Sequence, residues 1–139
     1  MTQAKQRFAT FESYLAYSDD LEGRFQLIDG ELFKLPPESE RNDWIAIVLR
    51  DCLVQVARRR LIRLGKCEIQ VPVLQKGDAQ NRFPDLVVLR EEHLQLTRKR
   101  LTITLDMPPP QLVMEIVSPG KTNRDRDYVH KRAQYAAIG

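Results

Sequence analysis

The sequence predicts an α/β or α+β domain: a mixed sheet covered by helices on both faces. Three observations carry this. Leu86-Val87-Val88-Leu89 and Leu112-Val113-Met114-Glu115-Ile116-Val117 are apolar on nearly every residue, and strands apolar on both faces belong to a sheet covered on both sides. Asp29-Gly30 sits between two short runs, which is the strongest short-range hairpin signal. Between that hairpin and the apolar strands, apolar residues recur at helical spacing.

Taken in order, Thr10 can cap a short helix from Phe11 to about Tyr17, with Glu12 in its favourable first turn. Phe25-Gln26-Leu27-Ile28 and Glu31-Leu32-Phe33-Lys34-Leu35 flank the Asp-Gly turn, and Pro36-Pro37 stops the second strand. Ser39 can cap a long helix over about residues 40–63, with Ile45, Val48, Leu49, Cys52, Leu53 and Val56 as its apolar stripe and Gly65 as its end. Residues 67–74 alternate as a strand, Ile69, Val71 and Val73 on one face and Glu68 and Gln70 on the other. A polar loop follows over 75–82, then the strand opened by Pro84-Asp85. Residues 90–100 read as a charged helix or a loop, and 101–105 as a short edge strand or part of an insertion. Met107-Pro108-Pro109-Pro110 is a rigid connector. After the strand containing Glu115, Thr122 or Asn123 can cap a last helix that runs to Ala137 or Ile138, with Asp125 and Asp127 at its positive end.

The chain has 139 residues, one domain by length, and enough to bury roughly two thirds of its unfolded surface. Its 42% hydrophobic and 29% charged residues are ordinary for a soluble globular protein. No apolar run approaches the ~18 residues of a membrane helix, and the N-terminus lacks a signal-peptide pattern. A cytoplasmic protein is expected. Cys52, on the apolar helix face, and Cys67, at a strand start, read as buried free thiols. With two histidines and no CxxC, a histidine-rich or zinc-type site is excluded. The net charge is only +3, but cations cluster at Arg58–Arg60 with Arg63 and Lys66, at Arg98–Arg100, and at Lys121, Arg124 and Arg126. Such clusters suit a phosphate-backbone binder, and equally suit solvated helix faces.

The chemistry rests on three residues. An unpaired carboxylate inside an apolar strand costs several kcal/mol, so Asp85 and Glu115 need something to hold them. If their strands are neighbours, both carboxylates point at one spot and cannot both ionise without a cation. Magnesium, or manganese in its place, fits oxygen ligands, keeps waters and pairs with phosphate. Lys131 shares a helix side with Tyr128, Tyr135 and Ile138, the side expected to pack on the sheet. The bland alternatives are a turn aspartate, an edge-strand glutamate and a surface pair between Lys131 and Asp127.

Four segments together resemble a known family. Gln26-Leu27-Ile28-Asp29-Gly30-Glu31-Leu32, Pro84-Asp85-Leu86-Val87-Val88, Leu112-Val113-Met114-Glu115-Ile116-Val117-Ser118-Pro119 and Asp127…Lys131…Tyr135…Gly139 resemble the Uma-type endonucleases of the PD-(D/E)XK restriction-endonuclease-like superfamily. The resemblance covers about Phe8 to Gly139. It implies a restriction-endonuclease-like mixed central sheet flanked by helices, and a magnesium-dependent phosphodiesterase site. By position, Asp85 and Glu115 match the metal-binding acids and Glu31 a further acidic position. The lysine expected two residues after the glutamate is absent, Val117 standing there, so the resemblance points to Lys131 on the following helix. Family members continue past the glycine with another strand, so a C-terminally truncated domain lacking its last strand or strands is expected. A family histidine near the long helix is replaced by Arg41-Asn42-Asp43.

These readings converge on a metal-dependent endonuclease acting on DNA. Asp85 and Glu115, with Glu31, would hold magnesium; Lys131 would serve catalysis; Lys121, Arg124 and Arg126 would grip the backbone; and two chains would work as a homodimer. The alternative is a nuclease fold without activity that binds nucleic acid or a protein partner. A serine hydrolase using Ser118 and His130 is disfavoured, since no Gly-x-Ser-x-Gly elbow is present.

Overall fold

Strand pairing out of sequence order organises the chain. The computed structural model describes residues 7–17, 21–120 and 126–139, by backbone alone at 126 and 127. Helix α1 spans Phe11–Tyr17. Reciprocal bonds close its start: the Ser13 N–H donates to Thr10 Oγ1 at 3.1 Å and the Thr10 N–H to Ser13 Oγ at 3.3 Å. They satisfy donors that a helix start leaves open. Strands β1 (Phe25–Ile28) and β2 (Glu31–Lys34) form the expected antiparallel hairpin, Ile28 opposite Glu31. Asp29 and Gly30 take φ of 50° and 80°, the positive pair that a two-residue turn matched to strand twist requires. Phe8, Phe11, Tyr14 and Leu27 form a small core at this end.

Helix α2 covers Glu40–Leu53 and stops well short of residue 63. Ser39 caps it as expected, its Oγ accepting from the Asn42 N–H at 3.2 Å. The inward face is Ile45, Ala46, Leu49 and Leu53, whereas Val48 and Cys52 are exposed and Val56, beyond the helix, is 82% exposed. The apolar stripe is therefore rotated from the sequence expectation, and Cys52 is not the buried thiol it resembled. Cys67 is, and burial pushes its thiol up to about 12.

The residues expected to prolong α2 instead make a 3₁₀ turn (Arg59–Leu61) and strand β3 (Ile62–Leu64). Leu61 and Ile62 are buried in the main core, a burial that a helix ending in Arg58-Arg59-Arg60 would not give them. Tertiary packing thus overrides a weak helical preference. β3 pairs antiparallel with β6 (Leu86–Val88), which pairs antiparallel with β8 (Leu112–Met114). In a second sheet β4 (Glu68–Gln70) lies between β5 (Asn81–Arg82), antiparallel, and β7 (Thr102–Ile103), parallel. The architecture is mixed α+β, with the expected mixed pairing present but divided among three small sheets rather than one. β4 is shorter than the 67–74 run because Val73 and Leu74 are about half exposed, and β5 arises inside the segment read as loop.

Glu68 is the main departure in the core. The alternation placed it on a polar face, yet it is 2% exposed. Its Oε2 accepts from Tyr14 Oη at 2.7 Å and Asn81 Nδ2 at 2.6 Å; its Oε1 accepts from Arg100 at 2.8 Å and Thr102 Oγ1 at 2.7 Å. Four donors, one of them the Arg100 cation, satisfy the buried carboxylate, as burial demands. Burial, then the Glu68 charge and hydrogen bond, raise the Tyr14 phenol well above its ordinary range, so it stays a donor. The network ties α1, β4, β5 and β7 together.

Helix α3 (Glu91–Leu96) is held by fully buried His93, whose Nδ1 accepts from the Arg90 N–H at 2.9 Å and whose Nε2 faces Pro108 O at 2.7 Å. Nδ1 as acceptor leaves Nε2 to carry the proton toward that carbonyl. The chain ends in a π-helical turn (Arg126–Lys131) and helix α4 (Arg132–Ala137). The expected caps Thr122 and Asn123, and Asp125, lie outside the described residues.

Replacing Glu68 by Ala removes the carboxylate that pairs with Arg100 and accepts from Tyr14, Asn81 and Thr102. The expected cost is about 3 to 5 kcal/mol of folding stability. Urea unfolding of wild type and Glu68→Ala measures it, and a loss under about 1 kcal/mol would contradict the network's structural role.

Candidate functional site

The register of β6 against β8 builds the site. Leu86 faces Met114 and Val87 faces Val113, so the next step outward sets Asp85 against Glu115. Buried Pro84 marks where β6 begins. Asp85 is fixed twice. Its backbone carbonyl accepts from the Gly65 N–H at 3.1 Å, and its Oδ2 accepts from the Ile116 N–H at 2.6 Å. Glu115 stands just past β8, where the chain leaves the ladder, and its carboxylate adjoins that of Asp85.

Helix α4 brings the cation. Gln134, fully buried, donates to Pro72 O at 2.9 Å and Ala79 O at 2.8 Å and accepts from Arg82 Nε at 2.9 Å. These three bonds clamp the helix at one rotation. Neighbouring turns then face Glu115: Lys131 Nζ lies 3.2 Å from its Oε2, and Tyr135 Oη donates to its Oε1 at 2.7 Å. Burial first, and then the Glu115 charge, push the Tyr135 phenol well above its ordinary range. Tyr135 is therefore a neutral donor that holds one Glu115 oxygen.

Asp85 has a different environment. Burial pushes its carboxyl up to about 7; the Ile116 N–H pulls the other way, while the Glu115 charge and hydrogen bonding with Glu38 and Glu115 add to the rise. Glu38, just before the Ser39 cap of α2, is an acid the sequence reading missed, because it looks like one more charge at a helix start. Asn42, one turn into α2, donates to Ser118 Oγ at 3.2 Å and ties that helix to the segment after β8. Together Glu38, Asn42, Asp85, Glu115, Ser118 and Lys131, with Arg24 and Phe83, line a cleft of about 310 Å³.

The structure thus brings together Asp85, Glu115 and Lys131. It does not bring Glu31 to them: that carboxylate lies on the hairpin, 3.0 Å from Arg7 Nη1, and does not line the cleft. Lys121, Arg124 and the side chain of Arg126 lie outside the described residues. Arg24, Glu38 and Gln134 join the arrangement without a sequence signal beyond their charge or polarity.

Among the described residues no three of His, Cys, Asp or Glu converge closely enough to cage a metal ion. Asp85 and Glu115 offer two hard carboxylates in an open cleft, which matches magnesium's habit of taking one or two carboxylates and keeping its waters.

Comparison with known proteins identifies the family. No curated protein matches the sequence. The Uma2 family, described as "Putative restriction endonuclease", matches residues 11–139, nearly the whole chain. A match of that extent over a mixed α+β fold settles the family: this chain belongs to the Uma2 restriction-endonuclease family.

Proposed function

We propose that this chain is a magnesium- or manganese-dependent endonuclease that hydrolyses phosphodiester bonds of DNA. The observation that carries the reading is the meeting of Asp85, Glu115 and Lys131 in one cleft, reached from β6, β8 and the helical end of the chain. The family description supports DNA as the substrate class.

Asp85 and Glu115 would hold the ion, which when bound would supply Lewis-acid stabilisation and a more acidic water. The chain's own residues do the rest. Tyr135 and Lys131 orient the Glu115 carboxylate through its two oxygens. Lys131, 14% exposed, is the cation best placed to balance charge building on a phosphate in the cleft. The Ile116 N–H keeps Asp85 turned toward Glu115. Lys121, Arg124 and Arg126 would grip flanking phosphates, which positions a duplex without reading its sequence. Among the described residues no helix is long and apolar enough to cross a membrane. We place the activity in the cytoplasm, carried by a pair of chains, and sedimentation velocity distinguishes dimer from monomer.

Three outcomes are expected. Calorimetric titration with magnesium or manganese should show about one equivalent bound, abolished in Asp85→Asn with Glu115→Gln; a folded wild type that binds none would remove the metal site. Glu115→Gln should lower plasmid cleavage at least about a hundred-fold while leaving DNA binding intact. Cleavage that survives it sinks the assignment.

The third outcome concerns pH. A carboxyl raised to about 7 holds its proton in the folded state where an unfolded aspartate has lost it. Its contribution to metal-free stability is present at low pH and is lost as pH rises through about 7. Metal binding must expel that proton, so affinity should strengthen from pH 6 to 8, approaching about ten-fold per unit below 7. Melting curves of wild type and Asp85→Asn across this range test it, since the asparagine variant should lose the slope.

A further inference from the structure

The acidic cleft continues past Asp85. A second hollow shares Arg24, Glu38, Asn42 and Asp85 with it and opens onto Gly65 and Lys66. A third, of about 240 Å³, shares Lys66 with the second and Phe83 with the first, and ends at Lys99 and Arg100. Shared lining residues join the three into one trough, with Asp85 and Glu115 toward one end and Lys66, Lys99 and Arg100 toward the other; Asp43 lines the second hollow beside Lys66, and buried Glu68 pairs with Arg100 in the third.

The cations are of two kinds. Arg100 is neutralised by Glu68 at 2.8 Å. Arg24, Lys66 and Lys99 have no carboxylate in ion-pair range among the described residues. Arg24 is half-buried, and its guanidinium donates to two backbone carbonyls, Gly65 O at 3.1 Å and Pro36 O at 3.4 Å, while lying 5.9 Å from the Phe83 ring centre. Carbonyls and a ring face fix a guanidinium in place without cancelling its charge. The half-buried Phe83 ring forms a wall common to the acidic and basic ends. Lys66 and Lys99 are exposed, and they come from the turn before β4 and the segment before β7.

We infer that Arg24, Lys66 and Lys99 hold the phosphodiester backbone of a nucleic acid that leads away from Asp85 and Glu115. This rests on the nuclease reading, for which it supplies the path of the substrate. The acids alone would repel a polyanion, and uncompensated cations in the same trough reverse that repulsion. A backbone is the ligand that matches cations spaced along a groove with no base-reading element beside them.

The test uses the whole chain, with EDTA present so that nothing is cut. Fluorescence anisotropy of a labelled DNA duplex is followed over a sodium chloride series. Lys66→Ala with Lys99→Ala should bind at least about ten-fold more weakly at 0.1 M salt, and the slope of log affinity on log salt should shrink by about 2. Lys76→Ala, an exposed lysine lining none of the three hollows, serves as control and should keep the wild-type slope. Both trough lysines are exposed, so their loss should leave the fold and the calorimetric metal titration unchanged. Arg24→Gln, checked for folding by its melt, should weaken binding in the same sense. A double variant that binds like Lys76→Ala, or a wild type that binds no duplex at low salt, overturns the assignment. The two readings fail separately: cleavage that survives Glu115→Gln removes the proposed catalytic site, whereas a salt slope indifferent to Lys66 and Lys99 removes only the trough.

Discussion

The pairing of β6 with β8 is the constraint on which the rest of the site depends. A strand's side chains alternate, so a slip of one residue would turn Asp85 or Glu115 to the other face. The register with Leu86 against Met114 prevents this, and it is enforced because both strands bury apolar residues that a slip would misplace. The bond from the Ile116 N–H to Asp85 then converts strand register into side-chain direction. Just beyond the last ladder pair Asp85 and Glu115 stand side by side, with Lys131 and Tyr135 on the two oxygens of Glu115.

Buried polar side chains supply the rigidity around that junction. Glu68 locks α1 to the mixed sheet, Gln134 locks α4 against the segments around Pro72 and Ala79, and His93 locks α3 to the proline connector. Each is fully or almost fully buried and each has its hydrogen-bonding groups satisfied. Such groups are costly to strand, so they specify one arrangement more sharply than apolar packing does. For the site, Gln134 matters most, because the rotation it imposes on α4 decides whether Lys131 and Tyr135 meet Glu115 or solvent.

Charge is sorted along the same surface. Glu115 is neutralised by Lys131, and Glu68 by Arg100, whereas among the described residues neither Asp85 nor Arg24 has an ion-pair partner. Asp85 and Arg24 line the same two hollows, and on the proposed reading a metal ion would answer the first and a phosphate the second. That arrangement distinguishes a site from a set of surface ion pairs, which would have neutralised one another.

Local chemistry was enough to read α1, the Asp-Gly hairpin, the Ser39 cap and the apolar strands around Val87 and Val113, since each depends on neighbours in sequence. It also marked Asp85 and Glu115 as acids in apolar strands in need of a partner, and the fold sets Lys131 beside Glu115. It misread 54–63, where a helical composition yields to the burial of Leu61 and Ile62 in a strand, and it put Glu68 on the wrong face. It could not find Glu38, Arg24 or Gln134, which look like ordinary surface residues until α2, the hairpin and α4 fold against the sheet. Residue order alone indicates the Asp-Gly turn, the helix caps and the apolar strands, and which acids need a partner. Only the tertiary structure decided which residues meet, because hydrogen bonds, burial and charge pairing between distant segments depend on distances that the order of residues does not contain.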